Sequence, residues 1–517
     1  MELPRIERTG GRARLLVDGR PFLVLGLQWD CDSCFSSEEM NPLFAHAARM
    51  GANTATLPTY WREVEPQPDV YNFGMVDERI EHARANGLRA ILLWFATWKN
   101  ACAFYSPSYI RDAPDTYPPA RDRAGSATVS LCPLAETTWR RDRNALVALM
   151  AHLRDHDPHH TVIMVQIENE PGLLRTDRCY CPTCSEHFAA DNWTAAWGAA
   201  APQAFSVASV AHYIDRLAAE AKAMHQLPLY TNVWLAPAVG GVPGVTHPSG
   251  GAVPGMLDLF RQRSRHLDLI APDIYTTGYR DFDRLCRIYS AAGNPLYIAE
   301  HSSSSIGRAD RNVFYAVGTH GALGFDPWAI DAAFPDIHSE PLVDPVGGEW
   351  GPQATSLRDS YHAIGRAIEP IAAAQGSDRI FTFVQEAGES GIGWAATGCD
   401  LIVSYHDPEQ AARGLLIQRA GGQFLLIGVG FSVRFRRPSP DGRPVSVVAA
   451  DWGRYDGDRW ITLHPMRREH LESEGQPVSL YQPGVARVVL DHDGSGNTYG
   501  ASGHRSPGQT RLPVVAS

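Results

Sequence analysis

Eight apolar runs recur along the first 330 residues, each followed by a stretch of different periodicity, and this recurrence limits the fold more than any other feature of the chain. The runs are FLVLGLQWD (22–30), ANTATLP (52–58), RAILLWF (89–95), TVIMVQIENE (161–170), LPLYTNVW (227–234), LDLIAPDIY (267–275), PLYIAE (295–300) and GALGFDPW (321–328). They are continuously apolar rather than alternating, the pattern of parallel strands covered on both faces. Between them apolar residues return at helical spacing, as in Trp139, Leu146, Leu149 and Leu153. Eight strands, each followed by a helix, is the count of a closed (β/α)8 TIM barrel of the α/β class, here predicted over residues 1–345.

From about Pro345 the texture changes. The segment DPVGGEWGPQ leads into an amphipathic helix with Leu357, Tyr361, Ile364 and Ile368 on one face, so residues 346–376 are expected to be a linker and a helix packed on the barrel. Short strand-like runs then follow at close spacing (IFTFVQ, DLIVSY, GLLIQ, QFLLIGV, SVRF, PVSVVAA, WITLH, PVSLYQ and ARVVL), punctuated by Gly, Pro and Asp. They predict a C-terminal antiparallel β-sandwich over 377–492, with a flexible tail over 493–517.

Composition excludes several function classes. The chain is 44% hydrophobic and 20% charged, and no apolar run approaches a membrane span. A formal net charge of −11, without a basic cluster, argues against nucleic acid as partner. The first 22 residues lack an apolar segment after a basic start, so a cytoplasmic location is expected. Nine cysteines do not read as a disulfide framework in such a chain.

Chemistry in a barrel of this kind sits at the C-terminal ends of the strands. Those ends carry Gln28, Trp29 and Asp30; Tyr60 and Trp61; Trp94, Trp98, Lys99 and Asn100; Asn169 and Glu170; Asn232 and Trp234; Asp273 and Tyr275; Glu300 and His301; Asp326 and Trp328. Sugar rings offer C–H faces to indoles and a rim of hydroxyls to amides and charges, so this mixture points to a saccharide ligand. Trp61, Trp98, Lys99, Asn100, Asn169, Asn232, Trp234, Tyr275 and Trp328 are the expected substrate-binding residues. Lys99 stands out because the chain has only two lysines. Glycoside hydrolysis needs one carboxylic acid and one carboxylate, and Glu170 and Glu300, ending the fourth and seventh runs, are the best placed pair. A separation of about 5 to 5.5 Å between them would make the reaction retaining. Glu168, two residues before Glu170, is expected on the same strand face one layer deeper, paired with a cation such as Lys99.

An Asn-Glu ending strand four and a Glu ending strand seven resemble the large clan of retaining (β/α)8 glycosidases. QIENEPG resembles the acid/base motif of family 35 β-galactosidases. NTATLPTYWREVEPQPDVYNFGMVD looks like the second-strand motif of families 35 and 42, and ILLWFATWKN, HTVIMVQIENE and GLLIQRAGGQFLLIGVGFSVRF look like a bacterial branch of family-35-like proteins with a C-terminal β domain. The resemblance implies Glu170 as acid/base, Glu300 as nucleophile, Asn169 as donor to the sugar 2-hydroxyl and Tyr275 as hydrogen-bond partner of the nucleophile. It departs at Pro58, where family 35 enzymes commonly place a galactose-binding Tyr; this chain has Tyr60 beside Trp61 instead.

CYCPTC, at Cys179, Cys181 and Cys184, places three thiols in one loop after strand four, a tetrahedral soft-metal set lacking one ligand. Cys132, in the loop after strand three, could supply the fourth, and family 42 enzymes have a similar arrangement; reduced, unliganded thiols or a decayed metal site are the alternative. Four thiolates would close the metal to water, so a structural zinc is expected and no catalytic cofactor. Cys31 and Cys34 form a CxxC without a second pair.

The expected function is a retaining exo-acting β-glycosidase, most simply a β-galactosidase acting on small oligosaccharides or glycosides. β-Fucosidase, α-L-arabinopyranosidase and β-glucosidase differ by single hydroxyl positions and stay open, as does a non-catalytic carbohydrate-binding protein. The C-terminal domain is expected to serve as an interface of a homo-oligomer.

Overall fold

The computed structural model describes residues 2–31, 36–276, 278–329, 331, 342, 350–407, 412–438, 442–466, 475–491 and 511–512. Contacts divide the chain into two units. The first comprises Met1–Gly19, Val24–Gly307 and Ala322–Gly351; the second comprises Arg20–Leu23, Arg308–Gly321 and Pro352–Ser517.

The first unit is the barrel. Its strands are β1 (Val24–Gln28), β2 (Thr54–Tyr60), β3 (Arg89–Lys99), β4 (Val162–Asn169), β5 (Leu229–Trp234), β6 (Leu269–Ile274), β7 (Ile298–Ser302) and β8 (Gly324–Trp328). They pair in parallel, in chain order, and β8 closes on β1. Strands β1, β2, β4 and β6 are buried along their whole length, because side chains pack inside the barrel on one face and under helices on the other. Among those helices are α1 (Ser37–Arg49), α2 (Gly74–Ala85), α3 (Glu136–His156), α4 (Ala201–Met224), α5 (Leu257–Arg263) and α6 (Tyr279–Ser290). On α3 the buried face holds Trp139, Leu146, Leu149 and Leu153, the set that the sequence periodicity picks out.

The barrel interior is not purely apolar. Asp326 is fully buried there, and its Oδ2 accepts hydrogen bonds from Thr56 and, at 3.0 Å, from the Tyr297 hydroxyl. A β-carbon at position 26 would stand 2.6 Å from the Asp326 carboxyl, so Gly26 makes the room that this carboxyl occupies. Burial pushes the Asp326 carboxyl up to about 8, against its two hydroxyl donors.

The second unit contains helices Pro352–Gly365 and Ile368–Ala374 and two antiparallel sheets. Leu357, Tyr361 and Ile364 face inward on the first helix; Ile368 begins the second, because the helical pattern breaks after Gly365. One sheet has six strands and the other five, and Phe381, Phe383, Leu426 and Ala486 from the first share a core with Trp394, Leu401, Phe431 and Val433 from the second. The sandwich expectation therefore holds. One strand, Gly391–Ala396, is absent from the sequence reading, since GIGWAA offers neither a continuous apolar run nor an alternation. Arg511–Leu512 pairs with it, while the rest of the expected tail lies outside the described residues.

Candidate active site

The chain leaves β4 through two non-glycine residues in left-handed backbone, Glu168 at φ 60° and Glu170 at φ 47°. Such residues break the strict alternation of a strand, and the two glutamates part company here. Glu168 accepts hydrogen bonds from the backbone N–H groups of Trp98 (2.6 Å) and Thr97 (3.3 Å). Burial raises its pKa well above the carboxylate range, and the neighbouring Asp142 on α3 adds to the effect. Asp142 itself takes hydrogen bonds from Trp94, Thr97 and Tyr213, so Glu168 belongs to a network between the barrel wall and helices α3 and α4. The expected pairing with Lys99 on the inner face is thus corrected.

Glu170 faces the cleft, buried to 6% exposure, and its backbone N–H is held by Asn232 Oδ1 at 2.7 Å. Across from it Glu300, at the end of β7, accepts from Asn169 Nδ2 and Asn232 Nδ2, both 3.2 Å from Oε1, and from the Tyr275 hydroxyl, 2.6 Å from Oε2. A third carboxyl, Asp273, ends β6 in register with Glu300 and accepts from Asn232 Nδ2 at 2.9 Å. One carboxylate oxygen from each of Glu170, Asp273 and Glu300 lies within 4.8 Å of the others. Burial and the Glu300 charge push the Glu170 carboxyl up to about 8, with Lys99 and a hydrogen bond to Asp273 pulling the other way. Burial likewise raises Asp273 well above its usual range. For Lys99 burial acts downward, yet Cys31, Glu300, Glu170 and Asp273 together leave its pKa raised. Its ammonium hydrogen-bonds Asn100 Oδ1 and stands 5.1 Å from the centre of the Phe95 ring.

These groups open into a cavity of about 630 Å³, lined also by Asn100, Trp234, Leu235–Ala238, Arg284 and Trp328. Asn169 and Asn232 lie beneath it, against Glu300. Trp61 and Trp98, in contrast, do not line it. The Trp61 indole is buried with its N–H on Glu65 Oε2 at 2.8 Å, and Trp98 packs edge-on against Tyr213. An aromatic at a strand end serves a barrel equally well on its outer face, under the helices, and sequence does not tell the two apart. Glu63 and Glu65, in the WREVEP stretch, have structural roles, Glu63 facing Arg79 at 3.6 Å and Glu65 accepting from Trp61, Asp69 and Tyr109. At the Pro58 departure the backbone carbonyl binds Arg79, and Tyr60 gives its hydroxyl to the Cys31 carbonyl. Asp273 carries no role in the sequence reading, although its position two residues before Tyr275 on the same strand was the available signal.

The sulfurs of Cys132, Cys179, Cys181 and Cys184 also lie within 4.8 Å of one another. Cys132 is 3.5 Å from Cys184 and 3.8 Å from both Cys181 and Cys179. Four sulfurs held about 2.3 Å from one zinc ion at tetrahedral angles would stand about 3.8 Å apart, so these distances fit that ion. Backbone N–H groups of Arg121 and Cys184 point at Cys179 and Cys181, each at 3.4 Å, as donors to thiolates would. Cys181 also caps the helix Pro182–Ala190. Cys34 of the CxxC pair lies outside the described residues.

Comparison with known proteins adds to this geometry. Residues 35–198 match the model of the family described as beta-galactosidase, glycoside hydrolase family 42, and residues 357–466 match a domain of unknown function, DUF5597. The first match places the barrel's likeness with family 42 rather than with family 35. A β-galactosidase from Bacillus circulans sp. alkalophilus superposes with a TM-score of 0.54 at 14% identity, over 68% of this chain and 57% of that one. A catalytic mutant of Gan42B, a family 42 β-galactosidase from G. stearothermophilus, gives 0.51 at 15% identity, over 70% and 59%. The catalytic domain of a β-amylase from Paenibacillus polymyxa gives 0.50 at 13% identity, over 65% and 96%. These likenesses support the fold, and the chain spans just under three-fifths of the length of the two β-galactosidases. Comparison with curated proteins finds no match. No helix among the described residues is long and apolar enough to cross a membrane.

Proposed function

We propose that the chain is a retaining exo-acting β-glycosidase, with β-galactosides as its leading substrates. The observation that carries the reading is the approach of Glu170 and Glu300 to within 4.8 Å in one cleft. That is near the roughly 5 to 5.5 Å of retaining enzymes and short of the roughly 6.5 to 9.5 Å that inverting enzymes need to admit water between the carboxyls. Glu300, oriented by three donors, attacks the anomeric carbon while Glu170 gives its proton to the departing oxygen. Glu170 then takes a proton from water as that water attacks the glycosyl ester, and two inversions leave the configuration unchanged. Asn169, beside Glu300, is placed to meet the sugar hydroxyl next to the reacting carbon. Trp234, Trp328, Lys99 and Asn100 line the cavity as stacking faces and hydroxyl partners.

The test is a leaving-group comparison. Glu170→Ala loses roughly 10² to 10⁴-fold in kcat/KM on alkyl glycosides or disaccharides and far less on dinitrophenyl glycosides, which leave without a proton. Equal activity of wild type and variant on both would rule the assignment out. A panel of nitrophenyl glycosides varied at C4 and C6 separates β-galactosidase from β-fucosidase, α-L-arabinopyranosidase and β-glucosidase activity. The family 35 likeness of QIENEPG adds nothing that the two carboxylates do not already supply. We also propose a structural zinc on the four cysteines, a reducing compartment such as the cytoplasm that keeps them available, and a homo-oligomer formed through the C-terminal sheets. Metal analysis, localisation and light scattering on the full chain test these in turn.

A further inference from the structure

The large apolar side chains that the barrel exposes among its described residues are Val70, Phe104, Val239, Val242, Val245 and Ile306. Each stands in a segment that leaves a barrel strand and leads to the next helix, so all of them belong to the rim that carries the carboxyls. Half of them come from one turn after β5. Val239 is 89% exposed, Val245 71% and Val242 49%. They follow Leu235, Ala236, Pro237 and Ala238, none of which is buried. A run of exposed apolar residues from Leu235 to Val239 is unfavourable in water unless something covers it.

The valines are not exposed because the turn is loose. The Val242 N–H donates to Thr246 Oγ1 at 2.8 Å, and the Val242 carbonyl accepts from the N–H groups of Val245 and Thr246, each at 3.0 Å. From the loop after β4, the Arg175 N–H donates to the Gly244 carbonyl at 2.7 Å. Gly244 stands at φ 79°, and a β-carbon there would come 2.0 Å from the Thr176 carbonyl oxygen, so the turn is pressed against that loop. Its backbone is satisfied inward, and its valine side chains are left outward.

What covers them follows from where the turn stands. Leu235–Ala238 line the active-site cavity just before it, and Thr246 lines the same cavity just after it, so the turn is at the cavity mouth. Lys99, Glu170, Asp273 and Glu300 reach the cavity from strand ends, whereas the apolar wall continues beyond the end of β5 toward the turn. In an exo-acting glycosidase the sugar lies at the carboxyls and the leaving group points to the mouth. A second sugar there would need partners for its hydroxyls, yet from Leu235 to Val245 no side chain carries a donor or an acceptor. We propose that this wall, continued by Val239, Val242 and Val245, is the aglycone site, and that it takes an apolar leaving group, an alkyl or aryl alcohol rather than a saccharide. The inference rests on the glycosidase reading above.

The test uses the full chain and two alkyl β-glycosides, propyl and octyl, of the sugar that the nitrophenyl panel selects. Their alcohols are alike as leaving groups, so the octyl-to-propyl ratio of kcat/KM reads aglycone contact rather than bond cleavage. Each methylene that is covered is worth up to about fourfold, and the wild-type ratio should be roughly tenfold or more. In the double variant Val239→Ser, Val245→Ser the ratio should fall to within about threefold of unity, while Val239→Leu should keep it or raise it. A wild-type ratio near unity with measurable turnover overturns the proposal and leaves the glycosidase reading standing. So does a double variant that keeps the wild-type ratio, including one whose mass by light scattering changes, which would assign the valines to a contact between copies of the chain. A wild type that hydrolyses no β-glycoside takes down the glycosidase reading, and this proposal with it.

Discussion

Two clusters of acidic groups stand on the same barrel rim, each with its reactive atoms within 4.8 Å of one another. Strands β4, β6 and β7 deliver the carboxyls of Glu170, Asp273 and Glu300; the loops after β3 and β4 deliver the four cysteines. They handle mutual repulsion in opposite ways. In the carboxyl cluster burial raises the Glu170 carboxyl, one ammonium stands beside it, and amide and hydroxyl donors surround Glu300, so the cluster retains a group able to act as acid. The thiols have backbone N–H donors, and no basic side chain contacts their sulfurs among the described residues. Four thiolates at that spacing call for a divalent cation. The spacing of acidic atoms is thus no guide to their role; what compensates their charge is.

The sharpest way to break this comparison is at Glu300. Glu300→Gln should lower turnover by roughly 10³-fold or more while leaving the melting temperature unchanged or raised, since it removes a charge from a repelling set. Trapping a mechanism-based label on any other carboxylate would contradict it. Cys132→Ser should do the reverse, lowering bound zinc from one ion per chain toward none and the melting temperature by about 5 °C or more, with kcat largely kept in the folded fraction. A chelator-treated protein with unchanged stability would sink the metal reading. The smallest effect concerns the floor of the barrel. The folded pKa of Asp326, pushed up to about 8, lies above the unfolded carboxyl value, so its contribution to stability is complete below about pH 4 and is lost as pH rises through about 8. Asp326→Asn should flatten the fall in melting temperature between about pH 5 and pH 9 by a few degrees, measured by calorimetry.

Glu170 and Glu300 were legible because their chemistry and position at strand ends single them out, the cysteines because of their spacing in two loops, and the role of Tyr275 through the family resemblance. The eight strands were legible because parallel burial leaves continuous apolar runs. What escaped depends on backbone conformation. Glu168 and Glu170 sit two apart, and a regular strand would turn both to one face; left-handed φ values at both break that rule, and such values on non-glycine residues leave no mark in the sequence. The same holds at Asn100 and Ala101, where β3, read as ending at Phe95, runs on to Lys99 before turning. Trp61 and Trp98 were misplaced because their side of the barrel wall is decided by neighbours such as Glu65 and Tyr213, far from them in kind or in sequence.

The scarcity of lysine has a practical consequence. Of the two lysine side chains, Lys222 is tied to Asp268 at 2.6 Å on the outer helix α4, and Lys99 is in the cleft. Amine-directed acylation of the folded protein therefore has only two lysines to report on, one of them beside the reacting carboxyls. Protection of Lys99 from such a reagent by a sugar, read as a missing mass increment on a single peptide, would register occupancy of the cleft without any turnover.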